Sequence, residues 1–157
     1  MTRSLHPNAH RVSDTLIARG HHGLIVQQPE TVHTAEQAAA ALGVEVGAIV
    51  KSLVFLLDEE PIMLLVSGAH RVDVARTGDR LDGALAPASP DLVTEVTGQP
   101  LGGVAPLGHP ANIPTYIDRS LRFHPELWAS GGCPNTLFRT VYSELRRITA
   151  AVDVDVD

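Results

Sequence analysis

Apolar residues run almost unbroken over positions 48–57 and again over 62–66, with Asp58, Glu59, Glu60 and Pro61 between them. Two short apolar runs joined by a polar turn predict a β-hairpin. Runs without polar alternation predict strands covered on both faces, which puts this hairpin at the centre of a sheet. Ahead of it, Val12, Leu16 and Ile17 share one face of a helix over 8–19 that stops at Gly20. A short strand over 24–26 follows, ending before Pro29. Thr34 and Gln37 form a capping box for a second helix that runs to Leu42 and stops at Gly43. A helical turn over 44–49 then feeds the hairpin.

Beyond the hairpin the pattern predicts a helix of about ten residues through Leu81 and a brief strand over 84–86. Next comes a helix capped by Ser89 with Pro90 at its first position, ending at Gly98. Residues 113–118 read as an edge strand, because Pro114 suits the start of one. An extended segment over 121–128, a small-residue turn at 129–132, a strand from Leu137 and a helix over 142–148 capped by Thr140 complete the series. The end of the chain alternates Val and Asp, which predicts an edge strand with one buried face and not a solvated acidic tail. Neither a repeat nor a linker interrupts the order. The expected architecture is one α/β domain, residues 1–157, with helices flanking a central mixed, largely antiparallel sheet.

Composition narrows the setting. A chain of 157 residues with 44% hydrophobic and 19% charged content is large enough for a core without staples. No apolar run reaches the length of a membrane span, and the first residues lack the apolar stretch of a signal peptide. The single cysteine, Cys133, allows neither an internal disulfide nor a cysteine-based zinc site. These features predict a cytoplasmic protein with no membrane contact. A net charge of −6 argues against broad electrostatic binding to nucleic-acid backbone, while leaving room for recognition of one end through a local cation.

That cation is conspicuous in the hairpin itself. Twelve basic residues resolve into eleven arginines and one lysine, Lys51, set inside the first apolar strand. An ammonium is a compact point charge where a guanidinium is a flat fork, so the choice suits a small pocket. The plainer reading is a strand lysine with its stem packed and its head in water. The second informative stretch is 97–108, which has four glycines and two prolines but also Leu101, Val104 and Leu107. An apolar glycine-rich loop packs down and offers backbone N–H groups to a carbonyl or an anion.

Other chemistries lack support. There is no Gly-x-Ser-x-Gly elbow, and Ser52, Ser67 and Ser130 have no evident partner. Cys133 sits in a turn between Gly132 and Pro134. His6 and His10 have the spacing to share a metal but no third ligand, so no metal is expected. Arg71, Arg76 and Arg80 form a basic cluster balanced by Asp73, Asp79 and Asp82. Lys51 as a Schiff-base nucleophile would need an acid–base set that is not visible. What is left is one ammonium, backbone donors, and a nucleophile supplied by water or substrate.

Residues 50–55 (Val-Lys-Ser-Leu-Val-Phe), the loop with Gly102-Gly103-Val104-Ala105-Pro106, the segment 113–118 and Ser130-Gly131-Gly132 together resemble the YbaK/EbsC family. These are aminoacyl-tRNA deacylases related to the editing domain of bacterial prolyl-tRNA synthetases, and the resemblance extends from about Leu24 to the end of the chain. It implies hydrolysis of a mischarged small amino acid (Cys, Ala, Ser or Thr) from the 3′ end of a tRNA, typically that for proline, without cofactor or metal. It assigns the catalytic role to Lys51, Gly102 and Gly103. Substrate contacts fall to Thr34, Ser52, Val104, Ala105, Pro106, Ser130, Gly131 and Gly132. Cysteine-clearing members carry aromatic residues near Ile25 and Thr34 and an acid near Leu137, where this chain has other types, so the acyl group stays open. An aminoacyl-tRNA synthetase is a candidate partner. The alternative is a non-catalytic module that binds a nucleotide or an aminoacyl-tRNA end.

Overall fold

Residues 5–157 are described by a computed structural model. Its centre is the hairpin of β2 (Ile49–Leu57) and β3 (Glu60–Ser67), paired in register from Val50↔Ser67 to Leu57↔Glu60. Asp58 and Glu59 turn the chain with φ of 49° and 70°. Left-handed backbone is costly for such residues. Asp58 is held there by donating its N–H to Ala84 O at 2.9 Å and by accepting the Ala84 N–H on Oδ1 at 2.9 Å.

The remaining elements, in chain order, are α1 (Pro7–Ala18), β1 (Val26–Gln27), α2 (Ala35–Leu42), a 3₁₀ turn (Val46–Ala48), the hairpin, α3 (Val74–Arg80), β4 (Leu85–Pro87) and α4 (Pro90–Thr97). Then come β5 (Thr115–Asp118), a 3₁₀ turn (Arg119–Phe123), β6 (Leu127–Ser130), β7 (Thr136–Thr140), α5 (Tyr142–Thr149) and β8 (Val152–Val154). The sheet runs β1-β7-β6-β2-β3-β5-β8, with β4 added to β2. Four of its seven pairings are antiparallel; β2–β6, β3–β5 and β5–β8 are parallel.

Successive residues of β3 feed opposite faces, and the whole strand interior is buried, as its unbroken apolar run requires. Met63 and Leu65 join Val12 and Leu16 of α1, Val93 of α4 and Leu145 of α5 in the larger core. Ile62, Leu64 and Val66 join Leu85 and the tail residues Val154 and Val156 on the other side. A third cluster packs Ala38 and Ala39 of α2 on Ile49 and Leu137. Truncating a residue such as Leu64, which is fully buried, should cost ~2–5 kcal/mol.

Several local expectations change. The strand over 113–118 is an interior strand, because the Val/Asp tail adds beside it as β8: Tyr116 pairs with Leu64 on one side and Val152 on the other. The tail itself is the edge strand, with Val154 and Val156 buried, although Val152 is exposed. The strand over 24–26 shrinks to Val26–Gln27, and the predicted ten-residue helix to seven residues. The extended segment over 121–128 splits into a 3₁₀ turn and β6. Thr140 does not cap α5: Val141 holds the N-cap position without a side-chain bond, and Thr140 Oγ1 instead lies 3.0 Å from His21 Nε2. His6 caps α1 through Nδ1, which accepts the Asn8 N–H at 3.1 Å. Finally, β2 is only partly buried along residues 51–53, unlike β3.

Candidate functional site

The incomplete burial of β2 has a topological cause. On the edge away from β3, pairing with β6 ends at Val50↔Ala129 and pairing with β4 begins at Phe55↔Pro87. Residues 51–54 therefore face a break in the sheet. Ile49 O accepts from Gly68 beyond β3, while Val54 O accepts from Ala88 beside β4. Strand alternation then aims the main-chain groups of Ser52 at the break. The side chains alternate too. Val50 and Val54 enter the core beneath α1, and Ile49, Leu53 and Phe55 the clusters on the opposite face. Lys51 thus lies on the α2–α3 face and Ser52 on the α1 face.

A cavity of about 700 Å³ occupies this break and reaches both faces. Thr34, Lys51, Ser52, Gly102, Val104 and Ser130 all line it, so the break gathers residues from four separate segments of the chain. Leu101, 63% exposed, stands at its wall. Gln28, Ala38 and Val93 line it as well and were not singled out in the sequence, while Leu137, one of the three positions where the resemblance bears on the acyl group, lines it too. Gly103, Ala105, Pro106, Gly131 and Gly132 do not line it; they are buried around it. Ile25 also stays outside the lining, packed on the core. Ser52 Oγ is the single buried side-chain polar atom without a hydrogen-bond partner among the described residues. An unpaired buried hydroxyl costs ~1–3 kcal/mol, which marks a wall shaped for something other than packing.

Lys51 Nζ donates to His70 O at 2.6 Å. Burial first, then the Arg71 guanidinium, push the Lys51 ammonium below its ordinary range, against an upward pull from Glu36 and Asp118. The turn that carries His70 is anchored from β5. Asp118 Oδ2 accepts the Ser67 N–H at 3.1 Å and lies 2.9 Å from His70 Nδ1. Asp118 Oδ1 accepts the Ser120 N–H at 3.0 Å and its hydroxyl at 2.7 Å. Ser120, His70 and Asp118 do not form a nucleophilic triad, because Ser120 Oγ and Asp118 meet the same ring nitrogen.

The glycine-rich loop is braced from within. Gln99, 1% exposed, accepts the Ala105 N–H on Oε1 at 2.8 Å and donates from Nε2 to Leu107 O at 3.3 Å. His109 Nε2 lies 2.8 Å from Ala105 O, and burial pushes the His109 pKa down against that bond's upward pull. The Gly103 N–H donates to Pro100 O at 2.9 Å. Two of the four amides in 102–105 are thereby committed inside the loop, while those of Gly102 and Val104 bond to no described residue. Thr34 Oγ1 caps α2 by accepting the Gln37 N–H at 3.1 Å, and Ser130 Oγ accepts the Gly132 N–H at 3.2 Å. Cys133 is buried, its Sγ 3.5 Å from Thr136 Oγ1. The bracing residues Gln99, His70, Asp118 and His109 escaped the sequence reading. The one hint was Gln99, a polar side chain in an otherwise apolar loop.

Among the described residues no group of acidic, His and Cys side chains is placed to hold a metal, and no helix is long and apolar enough to cross a membrane. The cavity is lined by one ammonium, by Gly102 and Val104 with their uncommitted amides, and by apolar, hydroxyl and amide side chains, an arrangement able to hold an anion and polarise a carbonyl.

Comparison with known proteins agrees with that chemistry. The profile of the aminoacyl-tRNA editing domain matches residues 29–148. A proline–tRNA ligase of Solidesulfovibrio magneticus is 35% identical over 91 residues, which are 57% of this chain but 16% of that ligase. The uncharacterized protein YwhH of Bacillus subtilis is 30% identical over 78% of this chain and 80% of its own length. A solved structure described as a proposed trans-editing enzyme for prolyl-tRNA synthetase superposes with a TM-score of 0.93 at 43% identity, covering 98% of this chain and 99% of that one. The hypothetical protein APE2540 superposes with a TM-score of 0.85 at 31% identity, covering 93% and 98%. The chain belongs to the aminoacyl-tRNA editing domain family, enzymes that hydrolyse the ester bond of aminoacyl-tRNA.

Proposed function

We propose that this domain acts in trans to clear a mischarged small amino acid (alanyl, seryl, threonyl or cysteinyl) from the 3′ end of a tRNA, that for proline first. Water adds to the ester carbonyl, the bond to the ribose oxygen breaks, and that oxygen leaves with a proton as the 3′-terminal hydroxyl. The observation that carries this reading is Lys51, the single lysine, at a break in the sheet whose walls contain no activated side-chain nucleophile. The ammonium holds the terminal phosphate or polarises the ester, and the free amides of Gly102 and Val104 receive the carbonyl oxygen. Thr34, Ser52 and Ser130 shape the acyl pocket, while Gly103, Ala105, Pro106, Gly131 and Gly132 hold the two loops in place. Likeness to a segment of proline–tRNA ligases supports the choice of acceptor.

A net charge of −6 disfavours strong binding to tRNA alone, which supports delivery of the substrate by a synthetase and work in the cytoplasm with translation. The test is a deacylation panel of Ala-, Cys-, Ser-, Thr- and Pro-charged tRNA for proline and cognate acceptors, with wild type and Lys51→Ala. Loss of about 100-fold or more in rate is expected for the variant. Equal rates would overturn the mechanism, and stoichiometric binding of an aminoacyl-adenosine mimic without turnover would make this a binding module.

A further inference from the structure

The Lys51 ammonium does not choose its own position. Its partner is a main-chain carbonyl, that of His70, in the turn that leaves β3. A free lysine side chain samples many rotamers, so a single carbonyl fixes it only if that carbonyl is itself immobile. The turn over 67–70 owes its place to Asp118. Parallel pairing of Leu65 with Ile117 carries Asp118 to the level of the β3 end. There the carboxylate, 2% exposed, collects one donor from Ser67, one from His70 and two from Ser120. A buried carboxylate survives only when donors satisfy it, and here the donors come from both ends of the His70 turn and from the 3₁₀ turn beyond β5. Since a carboxylate only accepts, His70 Nδ1 carries the proton of their contact. The ring is thereby fixed at one nitrogen while its own main-chain oxygen faces Lys51. Asp157 Oδ2 lies 3.5 Å from the other nitrogen, Nε2, at the exposed side.

We propose that Asp118 is a positioning residue for deacylation, fixing the Lys51 ammonium through the His70 ring and the turn that carries it. The claim rests on the deacylase reading of the Lys51 cavity. Asp118 and His70 do not line that cavity. Their effect reaches the reaction through one carbonyl oxygen.

The experiment uses Asp118→Asn, His70→Ala and His70→Asn. Asn at 118 keeps the shape but replaces one acceptor oxygen by an NH₂ group. Asn at 70 restores a donor near the place of Nδ1–H, whereas Ala removes it. Because Lys51 is the single lysine, protein grown on [ε-¹³C]lysine gives one side-chain signal, whose two ε-protons are inequivalent when the side chain is held. For Asp118→Asn and His70→Ala, kcat is expected to fall about 10- to 100-fold with KM nearly unchanged, while the ε-protons average. His70→Asn is expected to recover most of both. Folded variants with wild-type kcat and an unchanged Lys51 signal would overturn the proposal, as would a loss in His70→Asn equal to that in His70→Ala. A wild-type chain inactive on every aminoacyl-tRNA, with a Lys51 signal still sensitive to Asp118→Asn, would remove the deacylase reading and leave the coupling. Wild-type turnover untouched by Asp118→Asn would do the reverse.

Discussion

A β-carbon on Gly103 would lie 2.6 Å from the carbonyl carbon of Cys133. The two small-residue loops around the cavity therefore meet backbone to backbone, and no flexible side-chain tip stands between them to give way. Gly103 lets the two loops close and does not itself line the cavity.

Gly103→Ala should push the loops apart and lower both melting temperature and deacylation, the latter by about tenfold or more, since small displacements of positioning groups cost rate steeply. Gly102→Ala is the control for melting temperature alone, because Gly102 lines the cavity. Gly102 has φ of 88° and open space around its missing side chain, so alanine meets only backbone strain of ~1–2 kcal/mol. Thermal melts of both variants separate the effects. Equal losses of melting temperature from the two would contradict the packing argument.

Lys51 should titrate below its ordinary value near 10.5, because burial and Arg71 both disfavour the charged form. Arg71→Gln removes a lowering influence and should move the titration up. Glu36→Gln removes a raising one and should move it down. The sign for stability follows. Between the folded value and 10.5 the unfolded chain still holds a proton that the folded chain has released, so stability rises with pH through that window. The single ε-methylene signal of Lys51 reads the titration directly, and shifts of the opposite sign in these variants would refute the assignment of causes.

The order of elements and the central hairpin were legible because each rests on local signals: apolar runs, Thr34 and Ser89 caps, and glycine stops. Lys51 stood out by rarity and the glycine loop by its apolar character. What could not be read is relational. Nothing local says that the Val/Asp tail docks beside Thr115–Asp118, which turned an expected edge strand into an interior one. Nor does any local signal reveal that β6 and β4 both pair with β2 and leave residues 51–54 open between them, although that break holds the candidate site. Asp118 reads as an ordinary strand-end acid until the parallel register brings it beneath the His70 turn. Gly103, Ala105 and Pro106 belong to the motif yet lie behind the wall, since a loop must bury some residues to present others.

Gln99→Leu keeps the volume of the side chain and removes its two bonds to the loop. The Ala105 N–H and Leu107 carbonyl would be left buried and unpaired, at ~1–3 kcal/mol each. Thermal unfolding should show a large loss of stability, and limited proteolysis should cut first within 99–108. A melting temperature within a degree or so of wild type would mean that the loop does not depend on the Gln99 brace.

His109 supplies a pH test of the same loop. Its folded pKa lies below its ordinary value of 6.5, burial being the main cause. As pH falls through 6.5 the unfolded chain takes up a proton that the folded chain still resists, so this group's contribution is present above 6.5 and lost as pH drops toward the folded value. His109→Gln keeps a donor for Ala105 O and abolishes the titration. Chemical denaturation across the acid range should show the variant overtaking wild type in relative stability as pH falls, because the other histidines and the carboxylates contribute to both chains alike. A stability difference independent of pH would show that His109 protonates as easily folded as unfolded, and that the apolar packing of the loop around it is looser than its burial indicates.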